Sequence, residues 1–222
     1  MQLVDLTMTI QPHWRWAVNT TLALDHRNQD PFQVTVLSLP VHAFTHIDTP
    51  QHIEPGRQTI EQVSIERLCG AAVVIDLVHK GPDTAITAAD LEACKDEIRE
   101  KDIVLLKTGW DLQRDWMTRE YWTQAPYVTE DAARWLAEQP ISAVGFDFPQ
   151  DFVIREIPNR HPSANEMPTH HYLLRKGVYL IEYLCNLHQL TSTRATVFAL
   201  PLKIQHAEGA PARVVALAGE SL

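Results

Sequence analysis

Short apolar runs rich in β-branched residues recur along the chain at residues 34–39, 71–78, 102–107, 141–148, 178–184, 195–204 and 212–218. Runs of this length read as strands, and the nearly continuous apolar ones as strands covered on both faces. Helical segments fall between them. Thr87-Ala88-Ala89-Asp90 has the form of a capping box and predicts a helix to about residue 98. Thr129 predicts the cap of a second helix, which runs to Glu138 before Pro140 stops it. A third begins near Pro168, whose fixed φ suits a first helical turn, and ends at Gly177, a natural left-handed terminus. Strands mixed with helices predict an α/β domain, and the lack of internal repeats or Gly/Ser linkers predicts one unit over residues 1–222. The order of the strands is not legible in this pattern.

Composition narrows the class. The chain has 222 residues, 45% hydrophobic and 21% charged, which excludes wholesale disorder and fibrous architectures. No stretch approaches the roughly 18 unbroken apolar residues of a membrane span. Nineteen basic against 28 acidic residues leave a net charge of −9 with no basic cluster, so neither nucleic acid nor a membrane is an expected partner. The first residues lack the basic and apolar regions of an export signal, and Cys69, Cys94 and Cys185 stand in no metal or redox spacing. A cytoplasmic location is expected.

Histidine is the unusual entry in this composition: eleven are present, and His42, His46 and His52 fall within one short segment. Divalent metals take imidazole nitrogen and carboxylate oxygen at about 2.0–2.2 Å. His46 and Asp48, two apart, point the same way on an extended chain with Cα atoms about 6–7 Å apart, within joint reach of one ion. His42 on the same extended chain would stand about 13 Å from His46. If both bind one metal, the chain must bend at residues 43–45. Pro50 blocks a helix through the segment, so a strand running into an irregular loop is expected. Without such a role, each of these histidines would be a solvated or hydrogen-bonded loop residue.

Glu182 lies in a second strand-like run, where alternation puts it on a face with Val178, Leu180 and Leu184. Buried there, a carboxylate must be protonated, paired or bound to a cation. On an edge strand it would face water, and the sequence leaves both readings open. His170 and His171 open the helix that leads into this run.

The pattern His42-x-x-x-His46-x-Asp48-x-Pro50-x-His52 resembles the signature of the cyclase family of metal-dependent hydrolases, which includes bacterial kynurenine formamidase and isatin hydrolase. The likeness continues through Asp5-Leu6-Thr7, Lys107-Thr108-Gly109-Trp110, Gly145-Phe146-Asp147, His170 with Glu182, and Ala199-Leu200-Pro201-Leu202-Lys203. It implies a swivelling β/β/α cyclase-like domain with a mixed sheet. It also implies a first metal held by His42, His46 and Asp48, and a second held by His170 and Glu182 with Asp48 bridging. His170 is preferred to His171 because its interval to Glu182 fits the family. His52 and Glu182 are the implied catalytic residues. Zinc or manganese, two per subunit, is the implied cofactor, and a homodimer or homotetramer the implied assembly. The implied reaction is hydrolysis of the C–N bond of a small aromatic or cyclic amide, a formamide or lactam, by metal-activated water. Formamidases usually carry Gly where this chain has Phe44, which separates it from the formamidase pattern at that position.

Trp14, Trp16 and Phe44 are the expected substrate-binding residues, an aromatic wall for a planar ring with Arg15 placed to receive a carboxylate. Trp110, Trp116, Trp122 and Trp135 are assigned to packing. Asp147 reads either as a carboxylate supporting the metal ligands or as the end of a strand, and Arg213 either as an anion anchor or as the partner of a structural acid. Two other functions fit the same residues: a lyase or dehydratase of the family acting without net hydrolysis, and a binding protein in which the metal only stabilises the fold.

Overall fold

Period-two geometry sorts the side chains of the apolar runs to two sides of one sheet. A computed structural model describes residues 2–219. Its strands are β1 (Leu3–Asp5), β2 (Asn19–Leu24), β3 (Val34–Ser38), β4 (His46–Asp48), β5 (Cys69–Asp76), β6 (Ala85–Ile86), β7 (Ile103–Lys107), β8 (Tyr127–Val128), β9 (Ala143–Phe146), β10 (Tyr179–Glu182), β11 (Arg194–Pro201) and β12 (Gly209–Ala218). Its α-helices are α1 (Ala88–Glu92), α2 (Trp110–Gln113), α3 (Arg119–Thr123), α4 (Glu130–Ala137) and α5 (Pro168–Leu173). In β7, Ile103 and Leu105 join one core with Ala72, Val74 and Ile181. Val104 and Leu106, on the other face, join a second core with Val73, Ile75, Leu180 and helix residues such as Ala133, Leu136 and Leu173. Two covered faces account for the almost unbroken apolar spelling of these strands.

The main sheet runs β1-β12-β11-β5-β7-β9-β10-β4, and β4 pairs with β12 as well. That extra pairing closes the strands from β12 to β4 into a barrel-like ring. The stretch β5, β7, β9, β10 is parallel, and the remaining neighbours are antiparallel. The α/β mixed sheet expected from the sequence is therefore what the chain forms.

Each of the seven anticipated runs contains a strand, with differences that have physical causes. Residues 34–39 do not join the barrel: β3 pairs with β2 in a separate hairpin, and every β3 residue is exposed. The run at 141–148 stops at Phe146, because Asp147 turns back to accept hydrogen bonds from the backbone of Thr108 and Gly109. The capping box at Thr87 forms with Asp90, but α1 ends at Glu92 and a single 3-10 turn follows at Lys95–Glu97. Leu91 is the one buried residue of α1, and past it Cys94 and Ile98 are only partly buried against the core, a weak hold for a continuous helix. Thr129 stands at the N-cap of α4, α5 opens on Pro168, and Gly177 at φ 74° ends the 3-10 turn that follows α5. Among the described residues no helix is long and apolar enough to cross a membrane.

Candidate metal centre

Strand β4 is three residues long and buried throughout. Ile47 faces the inner core, so His46 and Asp48 face the opposite side, towards the helices. Antiparallel pairing sets Glu182 of β10 opposite His46, and Leu180 opposite Asp48. On the other flank Gly209 of β12 lies opposite Asp48. A Cβ at Gly209 would stand 2.7 Å from the Ile47 carbonyl oxygen and 3.2 Å from Asp48 Oδ1, so only glycine admits this close approach.

The chain bends before β4 where the histidine spacing required it. Phe44 takes a left-handed conformation, φ 57°, and the His42 and His46 rings come within 5.2 Å of each other. Bulky residues rarely occupy this region, whereas glycine enters it freely. His52 closes a one-turn 3-10 helix, Pro50–His52, and its ring lies 3.9 Å from that of His42.

Hydrogen bonds aim the donors. His46 Nδ1 lies 2.7 Å from the Phe44 carbonyl oxygen and donates to it, which turns Nε2 to within 3.2 Å of Asp48 Oδ1 and 3.5 Å of Glu182 Oε2. On α5, the backbone N–H and hydroxyl of Thr169 donate to Asp151 at 2.9 and 2.7 Å, and Asp151 Oδ2 lies 2.6 Å from His170 Nδ1. His170 Nε2 is thereby held 3.1 Å from Glu182 Oε1 and 3.4 Å from Asp48 Oδ2. The Gln150 side-chain amide donates to Glu182 Oε1. His42 spans two carboxylates, with Nδ1 2.7 Å from Asp48 Oδ1 and Nε2 3.0 Å from Glu208 Oε1.

The result is an electron-rich cluster in a dry place. Burial would raise the Asp48 carboxyl, yet His42, His46, His52 and His170 hold it well below its usual range. Glu182 is likewise lowered against its burial, chiefly by His170. Burial would lower His42, but Asp48, then Glu182 and Glu208, lift it to about 9. His170 is raised well above its usual value, with Glu182 and Asp151 outweighing burial. Burial brings His52 down to about 4, and the neighbouring His42 and His170 add to that.

These residues fit a divalent cation. His46 Nε2 and Asp48 Oδ2 are buried and have no hydrogen-bond partner among the described residues. Buried polar atoms without partners are costly, and carboxylates and imidazole lone pairs aimed at one another call for a positive charge between them. Two groups place one donor atom per residue within 4.8 Å of each other: His46, Asp48 and Glu182, and His42, Asp48 and His52. Asp48 belongs to both. This grouping sets His52 beside His42, whereas the resemblance puts His46 in the set with His42.

A cavity of about 260 Å³ opens over the cluster, lined by His42, His46, Asp48, His52, His170 and Glu182 and walled by Arg15, Trp16, Tyr183, Ile154, Ile157, Pro158 and Met167. Trp16 is thus on the wall. Phe44 is not: it is wholly buried, its ring 4.7 Å from that of Trp16, and it backs the wall. Trp14 also lies off the cavity, 37% exposed under the Arg119 guanidinium, with its indole N–H on the Met117 carbonyl. His171 packs edge-on against Tyr172, away from the cluster. Asp147 caps the turn at Thr108 and Gly109, and Arg213 pairs with Asp5 on the surface. Sequence reasoning passed over Asp151, Gln150 and Glu208. Only Asp151 left a trace, since an acid among apolar residues beside Gln150 repeats the signal that drew attention to Glu182.

Comparison with known proteins agrees with this architecture. The family model described as putative cyclase matches residues 4–150. A kynurenine formamidase of Bordetella petrii is 27% identical over 92% of this chain and 86% of its own. Among solved structures, isatin hydrolase A from Labrenzia aggregata, bound to benzyl benzoate, superposes with a TM-score of 0.80 at 26% identity, covering 99% of this chain and 94% of the other. A protein described as a predicted metal-dependent hydrolase from Bacillus stearothermophilus is 30% identical with a TM-score of 0.74, covering 97% of each chain.

Proposed function

Because the chain belongs to the putative cyclase family, we propose that it is a metal-dependent amidohydrolase that cleaves the C–N bond of a small aromatic or cyclic amide, a formamide or lactam, in the cavity over β4 and β10. The observation that carries this reading is the pair of buried, unpartnered atoms His46 Nε2 and Asp48 Oδ2 on the cavity floor. The relatives named kynurenine formamidase and isatin hydrolase support the reaction class.

His42, His46, Asp48, His170 and Glu182 would hold zinc or manganese, two ions per subunit; nitrogen and oxygen donors without thiolate suit either metal. Such an ion, when bound, supplies Lewis acidity to an amide carbonyl and acidifies water. Asp151 fixes the tautomer and direction of His170, as Glu208 does for His42. Trp16 and Tyr183 offer faces to a planar substrate, while Ile154, Ile157 and Met167 exclude bulk water. His52, neutral at physiological pH, takes the proton of the attacking water and hands it to the departing nitrogen. The water oxygen joins the carbonyl carbon, the C–N bond breaks, and an acid and an amine leave. The exposed apolar residues Val34, Val36 and Leu37 of β3 support a homodimer or homotetramer, and free cysteines support a cytoplasmic setting.

The test is metal analysis of protein purified without added metal, followed by a panel of N-formyl anilines and isatin-like lactams assayed with zinc and with manganese. Hydrolysis that chelator abolishes and one of these metals restores is expected. Protein without transition metal whose activity ignores chelator defeats the reading.

A further inference from the structure

Arg15 is the one Lys or Arg among the described residues lining the cavity. Its guanidinium is locked in place: Nη2 donates to the Ile154 carbonyl at 2.9 Å, and the group lies 4.7 Å above the Trp122 ring. Nη1 is buried and has no hydrogen-bond partner among the described residues. The nearby acids are committed elsewhere, Asp48 and Glu182 to imidazoles and Asp151 to Thr169 and His170. A guanidinium keeps its charge at any physiological pH. Partly buried, in no salt bridge among the described residues and with Nη1 unused, it leaves a deficit that an anion would cancel.

We propose that Arg15 Nη1 receives a carboxylate of the substrate, so that the amide cleaved belongs to a small planar molecule carrying an acid group besides the scissile bond. The proposal rests on the hydrolase reading of the same cavity. Nη2 is engaged by Ile154 while Nη1 is not, and the cavity that Arg15 shares with the histidine cluster carries apolar and aromatic lining that suits a planar ring. The acid group docks at Arg15 while the amide lies over β4.

The test compares 2-formamidobenzoate with formanilide, its analogue without the acid, on metal-loaded wild type, Arg15→Gln and Arg15→Lys. The ratio of their kcat/KM values should favour the acid in wild type and fall about 10- to 100-fold in Arg15→Gln, the worth of one charge-assisted hydrogen bond. Arg15→Lys, which keeps the charge but loses the fork, should fall between them and serves alone if Arg15→Gln does not fold. Calorimetric binding of anthranilate, set against aniline, reads the same contact without turnover. Its affinity should drop by a similar factor in the variants. An unchanged ratio, or anthranilate that binds wild type no better than Arg15→Gln, overturns the proposal. If wild type hydrolyses neither formamide, the hydrolase reading fails, and anthranilate binding still decides the role of Arg15.

Discussion

Phe44 carries two opposed effects at one position. Its left-handed backbone costs about 1–3 kcal/mol, while its buried ring contributes about 3–5 kcal/mol of packing. Packing wins, so Phe44→Gly should lose about 2 kcal/mol net, roughly 4–8 °C in melting temperature for a chain of this size. Phe44→Ala should be worse than Phe44→Gly, because it forfeits the ring and keeps the strain; at an ordinary φ the order would be reversed. Thermal denaturation of the two variants decides. A second residue-scale expectation concerns pH. His42 is raised to about 9 and His170 also lies well above its usual 6.5. Below pH 6.5 the folded and unfolded chains both carry these protons, and the full stabilisation from Asp48 and Glu182 is present. It is lost as pH rises through the folded values. Metal-free protein should therefore melt at lower temperature at pH 9 than at pH 6.5, and metal binding at pH 7 should release protons, measurable by calorimetry in buffers of different ionisation enthalpy. A melting temperature that climbs across that window would refute the assignment.

Elements were legible where burial on both faces left a chemical mark. The runs at β5, β7, β11 and β12 spell their own strands, and the N-cap Thr129 and the first-turn Pro168 place α4 and α5. Two-residue β6 and β8 carry no period to detect, and β2 exposes nearly every side chain, so its sequence looks like a loop. Alternation also failed at one instructive point. Strict alternation puts Leu184 on the face of Glu182, yet it packs in the inner core because Tyr183, at φ 56°, flips the register. Pairing of β4 with β12 depends on Gly209 having no side chain. Gly209→Ala must push β12 away from the Ile47 carbonyl and crowd Asp48, costing about 1–3 kcal/mol and weakening the affinity for a divalent cation as well. Gly145→Ala meets only the methyl tips of Leu105 and Leu184 at its closest contacts and should lower stability without changing the affinity for a divalent cation. Urea denaturation with zinc titration of both variants separates the two cases.

At the scale of the molecule, residues 42–52 and 170–182 could be marked as chemically charged stretches, but nothing in their spelling said that β4 would lie against β10. That adjacency follows from strand order, which is set by the summed packing of the whole chain and has no local signature. Asp151 and Glu208 were missed for the same reason, since each matters only through a histidine far away in sequence. A buried ion pair holds a distant part of the ring: Arg194, at the start of β11, meets Asp102, just before β7, through two contacts of 2.7 Å that span β5. Removing the acid strands a buried cation, so Asp102→Ala should cost about 3–5 kcal/mol, seen as a lower urea midpoint with an unchanged slope.

Strand β4 is both the shortest member of the ring and the piece that completes it, bonded to β10 on one flank and β12 on the other. The hoop is fastened at the spot where the donor atoms sit. A cation captured by His46, Asp48 and Glu182 would act as a rivet through that fastening, and stripping it away should loosen the hoop there first. Amide hydrogens of Ile47 and Ala210 would then exchange with solvent sooner than those of β7, which lies across the ring.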